Sequence, residues 1–115
     1  MKRGDVYWAD LVPRSGSEQS GRRPVVVVSN DGFNQFREWM SIIVVPVSSS
    51  VAQAKRGPSV VAVPAGVAGL RRPSVALCHQ VTTLDRTKLT KRIGALPAGL
   101  LGDLERGLRA AMDLD

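Results

Sequence analysis

The chain has 115 residues, 43% of them hydrophobic, with a formal net charge of +6 at pH 7, one cysteine and one histidine. This is enough chain to bury one core unaided, so a single domain over residues 1–115 is expected. Cys78 alone excludes an intrachain disulfide and fits a cytoplasmic protein, His79 alone excludes a His-pair nuclease within one chain, and no run approaches the ~20 apolar residues of a membrane helix.

The basic start "MKR" resembles the opening of a signal peptide, but Asp5 and Asp10 break the apolar stretch that would have to follow. Residues 5–11 (DVYWADL) instead alternate as a strand does, with Val6, Trp8 and Asp10 on one face and Tyr7, Ala9 and Leu11 on the other. Residues 23–30 (RPVVVVSN) are continuous valine, the pattern of a strand covered on both faces. Residues 31–39 (DGFNQFREW) allow one short helical turn. Residues 41–47 (SIIVVPV) are again strand-like, and Pro46 predicts an edge or a bulge. Further β-branched runs follow at 59–63, 74–78, 80–84 and 91–96. In this reading Cys78 is a small core residue, and Cys78 and His79 point to opposite faces of a strand, which argues against a catalytic Cys–His pair.

The last segment, "PAGLLGDLERGLRAAM" (97–112), is helical. Leu100, Leu101, Leu104, Leu108, Ala111 and Met112 share one face, Pro97 suits the first helical position, and Glu105 and Arg109 are spaced as an i,i+4 pair. Gly102 and Gly107 each weaken this helix by roughly 1 kcal/mol relative to alanine, so packing against the rest of the chain or a second subunit must hold it. Six or seven short strands and one helix predict a mainly β protein, a small bent barrel with a C-terminal α-helix and short helical turns in its loops.

Charge is unevenly spread. Residues 1–95 carry 14 Lys and Arg against 6 Asp and Glu (+8); residues 96–115 carry 2 against 4 (−2). The predicted loops 12–22, 48–58 and 64–73 hold Arg14, Arg22, Lys55, Arg56, Arg71 and Arg72. Such a body favours a polyanion, although basic proteins without anionic partners are common. There is no CxxC, no HExxH, no calcium-loop spacing, and no GxGxxG in "GVAGL" (66–70), so no metal or nucleotide cofactor is expected. Arginine and hydroxyl chemistry remains. Arg22 and Arg23 stand just before Pro24 at the mouth of the valine run, where one is expected to be anchored against the barrel and the other open. They could hold phosphate through the planar guanidinium fork, or simply guard an aggregation-prone strand. Ser48-Ser49-Ser50 reads equally as a polar loop or as a source of one site hydroxyl.

In order along nearly the whole chain, "KRGDVYWADL", "GSEQSGRRPVVVVSND", "IIVVPVSSS", "HQVTTLDRTKL" and "RIGAL" resemble the MazF/PemK toxins of toxin–antitoxin systems, on the MazF side of that family. The resemblance implies an SH3-like barrel, a homodimer, and a metal-independent endoribonuclease that cuts single-stranded RNA. It also implies an antitoxin partner whose acidic, flexible segment lies in the RNA groove. It assigns catalysis to Arg23 and Ser48, where many relatives carry Thr in place of the serine. RNA contact is expected from Glu18, Gln19, Arg22, Ser49, Lys55, Arg56, His79 and Gln80. His79 departs from the family, in which an acidic residue often precedes the glutamine. Two rivals stand beside this reading. A gyrase inhibitor of the CcdB type shares the fold but ends in a Trp-Gly-Ile tail, whereas this chain ends "AAMDLD"; a supercoiling assay separates them. A non-catalytic RNA- or peptide-binding barrel would bind without cleaving.

Overall fold

The computed structural model describes residues 1–11, 16, 21–50 and 57–115. The β-branched runs form seven strands: β1 (Asp5–Asp10), β2 (Arg22–Val27), β3 (Ser41–Ser48), β4 (Val60–Val63), β5 (Ser74–Leu77), β6 (Thr82–Asp85) and β7 (Leu89–Ala95). A four-residue helix α1 (Asp31–Asn34) joins β2 to β3, and α2 (Ala98–Met112) closes the chain. All pairings are antiparallel, along the path β4-β5-β3-β2-β1-β7, with β6 also on β3.

No ladder joins the two ends of this path among the described residues. They meet through packing instead. The segment after β4 lies so close to β7 that a Cβ on Gly69 would fall 2.0 Å from the Ile93 carbonyl oxygen, and one on Gly94 would fall 2.4 Å from the Ala68 carbonyl carbon. Only residues without a Cβ allow this approach. Two register shifts between β1 and β7 bend that end of the sheet.

The valine run of β2 explains itself in this setting. Val25 and Val27 enter one apolar cluster with Ala9, Leu11, Ile42, Val44, Leu84 and Leu89. Val26 enters the other, with Val6, Val45, Val47, Val61, Ala76, Cys78 and Leu104. Helix α2 covers the second cluster.

The structure corrects four local expectations. Pro46 is buried in a central strand rather than at an edge. The Val28 N–H donates to the Ile43 carbonyl, which sets the phase of the β2–β3 ladder and turns the Pro46 nitrogen away from β2. It faces the place where the neighbouring strand is itself interrupted: β6 pairs β3 only up to Val44, β5 only from Val47. A residue without an N–H costs nothing in that gap. The interruption is a 3₁₀ turn over Cys78–Gln80, so Cys78 and His79 are not strand neighbours; the cysteine is buried and the histidine exposed all the same. Pro97 caps α2 rather than opening it. Glu105 pairs with Arg3 at 2.7 Å rather than with Arg109.

Gly107 has a structural reason to sit in a helix. A Cβ there would lie 2.7 Å from Cys78 Sγ and 3.2 Å from Val61 Cγ2. The helix therefore rests its backbone on the 3₁₀ turn, and Cys78 Sγ reaches the Leu104 carbonyl at 3.7 Å.

Candidate active site

Arg23 opens β2 and Ser48 closes β3. The paired positions Val25↔Pro46, Val26↔Val45 and Val27↔Val44 fix the register. Carried two residues further, that register sets Arg23 opposite Ser48. Its phase makes this a non-hydrogen-bonded pair, the kind whose Cα atoms stand about 4.5 Å apart and whose side chains come closest. Pro24 has no N–H to offer Val47, which ends the β2–β3 ladder just before the pair; Arg23 is held from the other side by its pairing with Ala9. Ser48 is buried, and its Oγ accepts the Ser50 N–H at 3.1 Å, which leaves the hydroxyl proton to donate.

Arg22 faces the opposite way, with Trp8 and Pro24. Its guanidinium carbon lies 5.0 Å from the centre of the Trp8 ring, a cation–π contact. Both arginines are exposed at the strand mouth, Arg22 over the Trp8 ring on one face and Arg23 on the other. Around Trp8 opens a cavity of about 650 Å³, reaching Arg23 and Ser49 at one end and bounded by Arg71 and Arg72 on the loop and Lys91 and Arg92 on β7. No carboxylate lines it among the described residues. Asp5 offsets part of this charge from behind, 3.3 Å from Arg92 Nε.

The loop that carries Arg71 and Arg72 is built, not loose. Leu70 is buried, the Gly66 N–H donates to the Leu70 carbonyl at 2.7 Å, and the Ser74 hydroxyl donates to the Arg72 carbonyl at 2.9 Å. The interlock of Gly69 with Ile93 pins it to β7.

Other expected site residues lie elsewhere. His79 and Gln80 are on the 3₁₀ turn, past the end of β5 opposite to Ser74. Since Ser48 pairs with Val75, His79 stands on the order of 10 Å further along β3. The Ser59 hydroxyl and His79 Nδ1 share a hydrogen bond at 3.1 Å. Glu18, Gln19, Lys55 and Arg56 lie outside the described residues. Burial pushes the Cys78 thiol up to about 11, so it is no nucleophile at neutral pH. Burial, then the Asp5 charge, raises Tyr7 above the ordinary phenol value. No group of three or more potential metal ligands occurs among the described residues, and no helix there is long and apolar enough to cross a membrane.

Sequence reasoning placed Arg71 and Arg72 on a basic loop but missed Trp8, Lys91 and Arg92 as parts of one cavity. Lys91 stands across from Trp8 in the ladder. Only that pairing, between the first strand and the last, brings them together.

Comparison with known proteins bears on the family and the fold. The sequence profile described as "PemK-like, MazF-like toxin of type II toxin-antitoxin system" matches residues 2–112. Endoribonuclease MazF6 of Mycobacterium tuberculosis is 40% identical over 114 residues, covering 99% of this chain and 98% of the relative. Endoribonuclease EndoA of Bacillus subtilis is 39% identical, covering 99% and 96%. Among solved structures, MazF of Deinococcus radiodurans superposes with a TM-score of 0.80 at 27% identity, over 99% of this chain and 97% of that one. A MazE–MazF structure from the same organism gives 0.75 at 28% identity, covering 100% and 97%.

Proposed function

This chain belongs to the PemK-like, MazF-like toxin family of type II toxin–antitoxin systems, and we propose that it acts as a metal-independent endoribonuclease on single-stranded RNA in the cytoplasm. The observation that supports the reading is the β2–β3 register, which, carried two residues past Val25↔Pro46, sets Arg23 opposite Ser48 at the mouth of a cavity walled by arginine and lysine. RNA supplies its own nucleophile, the 2′-OH. The protein has to hold the phosphate in line and stabilise the negative charge that builds on it. The Arg23 guanidinium donates two parallel hydrogen bonds to the phosphate oxygens. The Ser48 hydroxyl, oriented by the Ser50 N–H, donates to the same phosphate or to the 2′-OH. Attack of the 2′-oxygen on phosphorus expels the 5′-oxygen of the next nucleotide and leaves a 2′,3′-cyclic phosphate and a 5′-hydroxyl.

The test is digestion of a long, diverse RNA by purified protein in excess EDTA, with chemical typing of the new ends. Cleavage with those two ends is expected; dependence on added metal, or 5′-phosphate ends, overturns the mechanism.

The partner is an antitoxin with an acidic, flexible segment, drawn by the +8 charge of residues 1–95 and competing with RNA for the basic surface. The active form is a homodimer. Apolar side chains remain exposed for such an association, among them Phe36, Met112 and Leu114. Light scattering at micromolar concentration should find twice the 12.3 kDa chain mass; monomer alone refutes pairing.

A further inference from the structure

Arg23 and Ser48 account for one phosphate. They leave unexplained a second, larger concentration of cations on the other side of β2. Trp8, Arg22 and Pro24 alternate with Ala9, Arg23 and Val25, so the cavity around Trp8 lies on the face opposite the proposed catalytic pair and joins it only at the strand mouth, through Arg23 and Ser49. The strand mouth, at Arg23 and Ser49, is where a strand of RNA bound at the catalytic pair would reach this cavity.

We propose that the cavity between Trp8 and the Arg71–Arg72 pair is a flanking-nucleotide subsite, taking the base of one unpaired nucleotide against the indole and its phosphate on the two loop arginines. The inference rests on the ribonuclease reading for its substrate class, but on different residues.

Three features support it. The first is the Trp8 ring itself. It is only half-buried, and one face already accepts a planar guanidinium at 5.0 Å. Bases of single-stranded RNA are held in the same manner, stacked on aromatic rings or on arginine planes, so a base can slide against the indole or over the Arg22 plane. The second is charge. Arg71, Arg72 and Lys91 are all exposed at the cavity wall, with no carboxylate lining it among the described residues. The third is preorganisation. The Gly69–Ile93 interlock, the buried Leu70 and the Ser74–Arg72 hydrogen bond fix the backbone under the arginines, which lowers the ordering cost of binding. An acidic peptide would be served by the cations alone; a flat ring set among them suits a base. The cavity, about 650 Å³, is of the size that encloses small ligands.

The experiment uses the two tryptophans. Trp39 stacks on Phe33 in the segment between α1 and β3 and does not line the cavity. A full-length Trp39→Phe protein therefore reports on Trp8 alone. The probes are RNA oligonucleotides around a cleavage site mapped on bulk RNA, made uncleavable by 2′-deoxy substitution at the scissile nucleotide, with and without flanking nucleotides. Flanked probes should quench Trp8 emission and bind at least about tenfold more tightly, the scale of one stacked base. The quench should vanish in a Trp8→Phe protein that retains Trp39. In Arg71→Gln and Arg72→Gln proteins the affinity for flanked probes should fall more than that for unflanked ones, and the log–log salt slope should shrink by about 0.7 for each phosphate that is no longer neutralised.

Equal binding and equal emission with flanked and unflanked probes, while wild-type protein still cuts RNA, overturns the subsite and leaves the ribonuclease reading standing. Quenching by a Glu/Asp-rich peptide and not by flanked RNA overturns it in favour of a peptide site. Failure to cut any RNA overturns both.

Discussion

Gly107→Ala tests how α2 is seated. In an exposed helix the change stabilises by about 1 kcal/mol. Here the new methyl carbon would stand 2.7 Å from Cys78 Sγ, 3.2 Å from Val61 Cγ2 and 3.4 Å from Cys78 Cβ. The sulfur is no flexible tip: it belongs to a fully buried residue in a 3₁₀ turn. Overpacking of this kind costs about 1–3 kcal/mol. The net is a loss of about 1 kcal/mol, or a melting temperature lower by about 4 °C for a domain of this size. Gly102→Ala is the internal control. Its methyl meets only Arg106 Nη1, at 3.9 Å, so the propensity gain should survive and the melting temperature should rise by a similar amount. Thermal unfolding followed by circular dichroism separates the two. A double-mutant cycle with Cys78→Ala should show coupling of about 1 kcal/mol, because removing the sulfur makes room for the methyl. If Gly107→Ala stabilises as much as Gly102→Ala, the helix does not rest on the turn and the packing argument is wrong.

Arg23→Ala should slow RNA cleavage on the order of 10²–10³-fold, the scale for losing one charge-stabilising donor. Arg23→Lys should recover only part of this, since an ammonium has no planar fork, and Ser48→Ala should cost less than Arg23→Ala; full activity in Arg23→Ala removes the site assignment. The Asp31 carboxylate accepts the Arg3 N–H at 2.6 Å and the Asn34 side-chain amide at 3.1 Å, and these bonds hold its pKa below the ordinary value of 3.8. A depressed carboxylate contributes its stability above the unfolded value of about 3.9 and loses it as the pH falls through the lower folded value. Asp31→Asn should therefore be less stable at neutral pH and show a shallower stability loss below about pH 4 in denaturant titrations. Asp85, lowered in the same direction by Thr87, keeps its own share of that loss; identical acid profiles for the two proteins refute the role of Asp31.

Most strands were readable because they lie between turn residues and are rich in Val, Ile or Thr, β1 was readable from its alternation, and the doubled cover of β2 was readable from four valines in a row. Local composition could not reveal what depends on a neighbour. Pro46 looks like an edge signal until the gap beside it is known. Cys78-His79-Gln80 reads as strand on both sides, yet turns. Glu105 has a proper i,i+4 partner in sequence and takes Arg3 instead, because the helix lies against the start of β1. The candidate site divides in the same way. Arg23 and Ser48 were named through the family motifs, but the register that sets them opposite each other is seen only in the structure. The Trp8 cavity was hidden because a strand that reads as "KRIGAL" gives no sign of which strand its lysine and arginine will face.

The pairing of the first strand with the last also orders events in time. The register that sets Arg23 against Ser48 lies within residues 5–48, in the antiparallel β1-β2-β3 meander, and the Ser50 N–H that orients the hydroxyl follows two residues later. The Trp8 cavity needs Lys91 and Arg92, and its floor needs Ile93. Contacts so distant in sequence form slowly, and during synthesis at about 5–20 residues per second they must wait several seconds after the meander has emerged. On the proposed reading, a nascent chain would carry the arginine–hydroxyl pair well before it had the cavity for a flanking nucleotide. The cavity around Trp8 is complete only once translation has passed Ile93, when the chain is nearly finished.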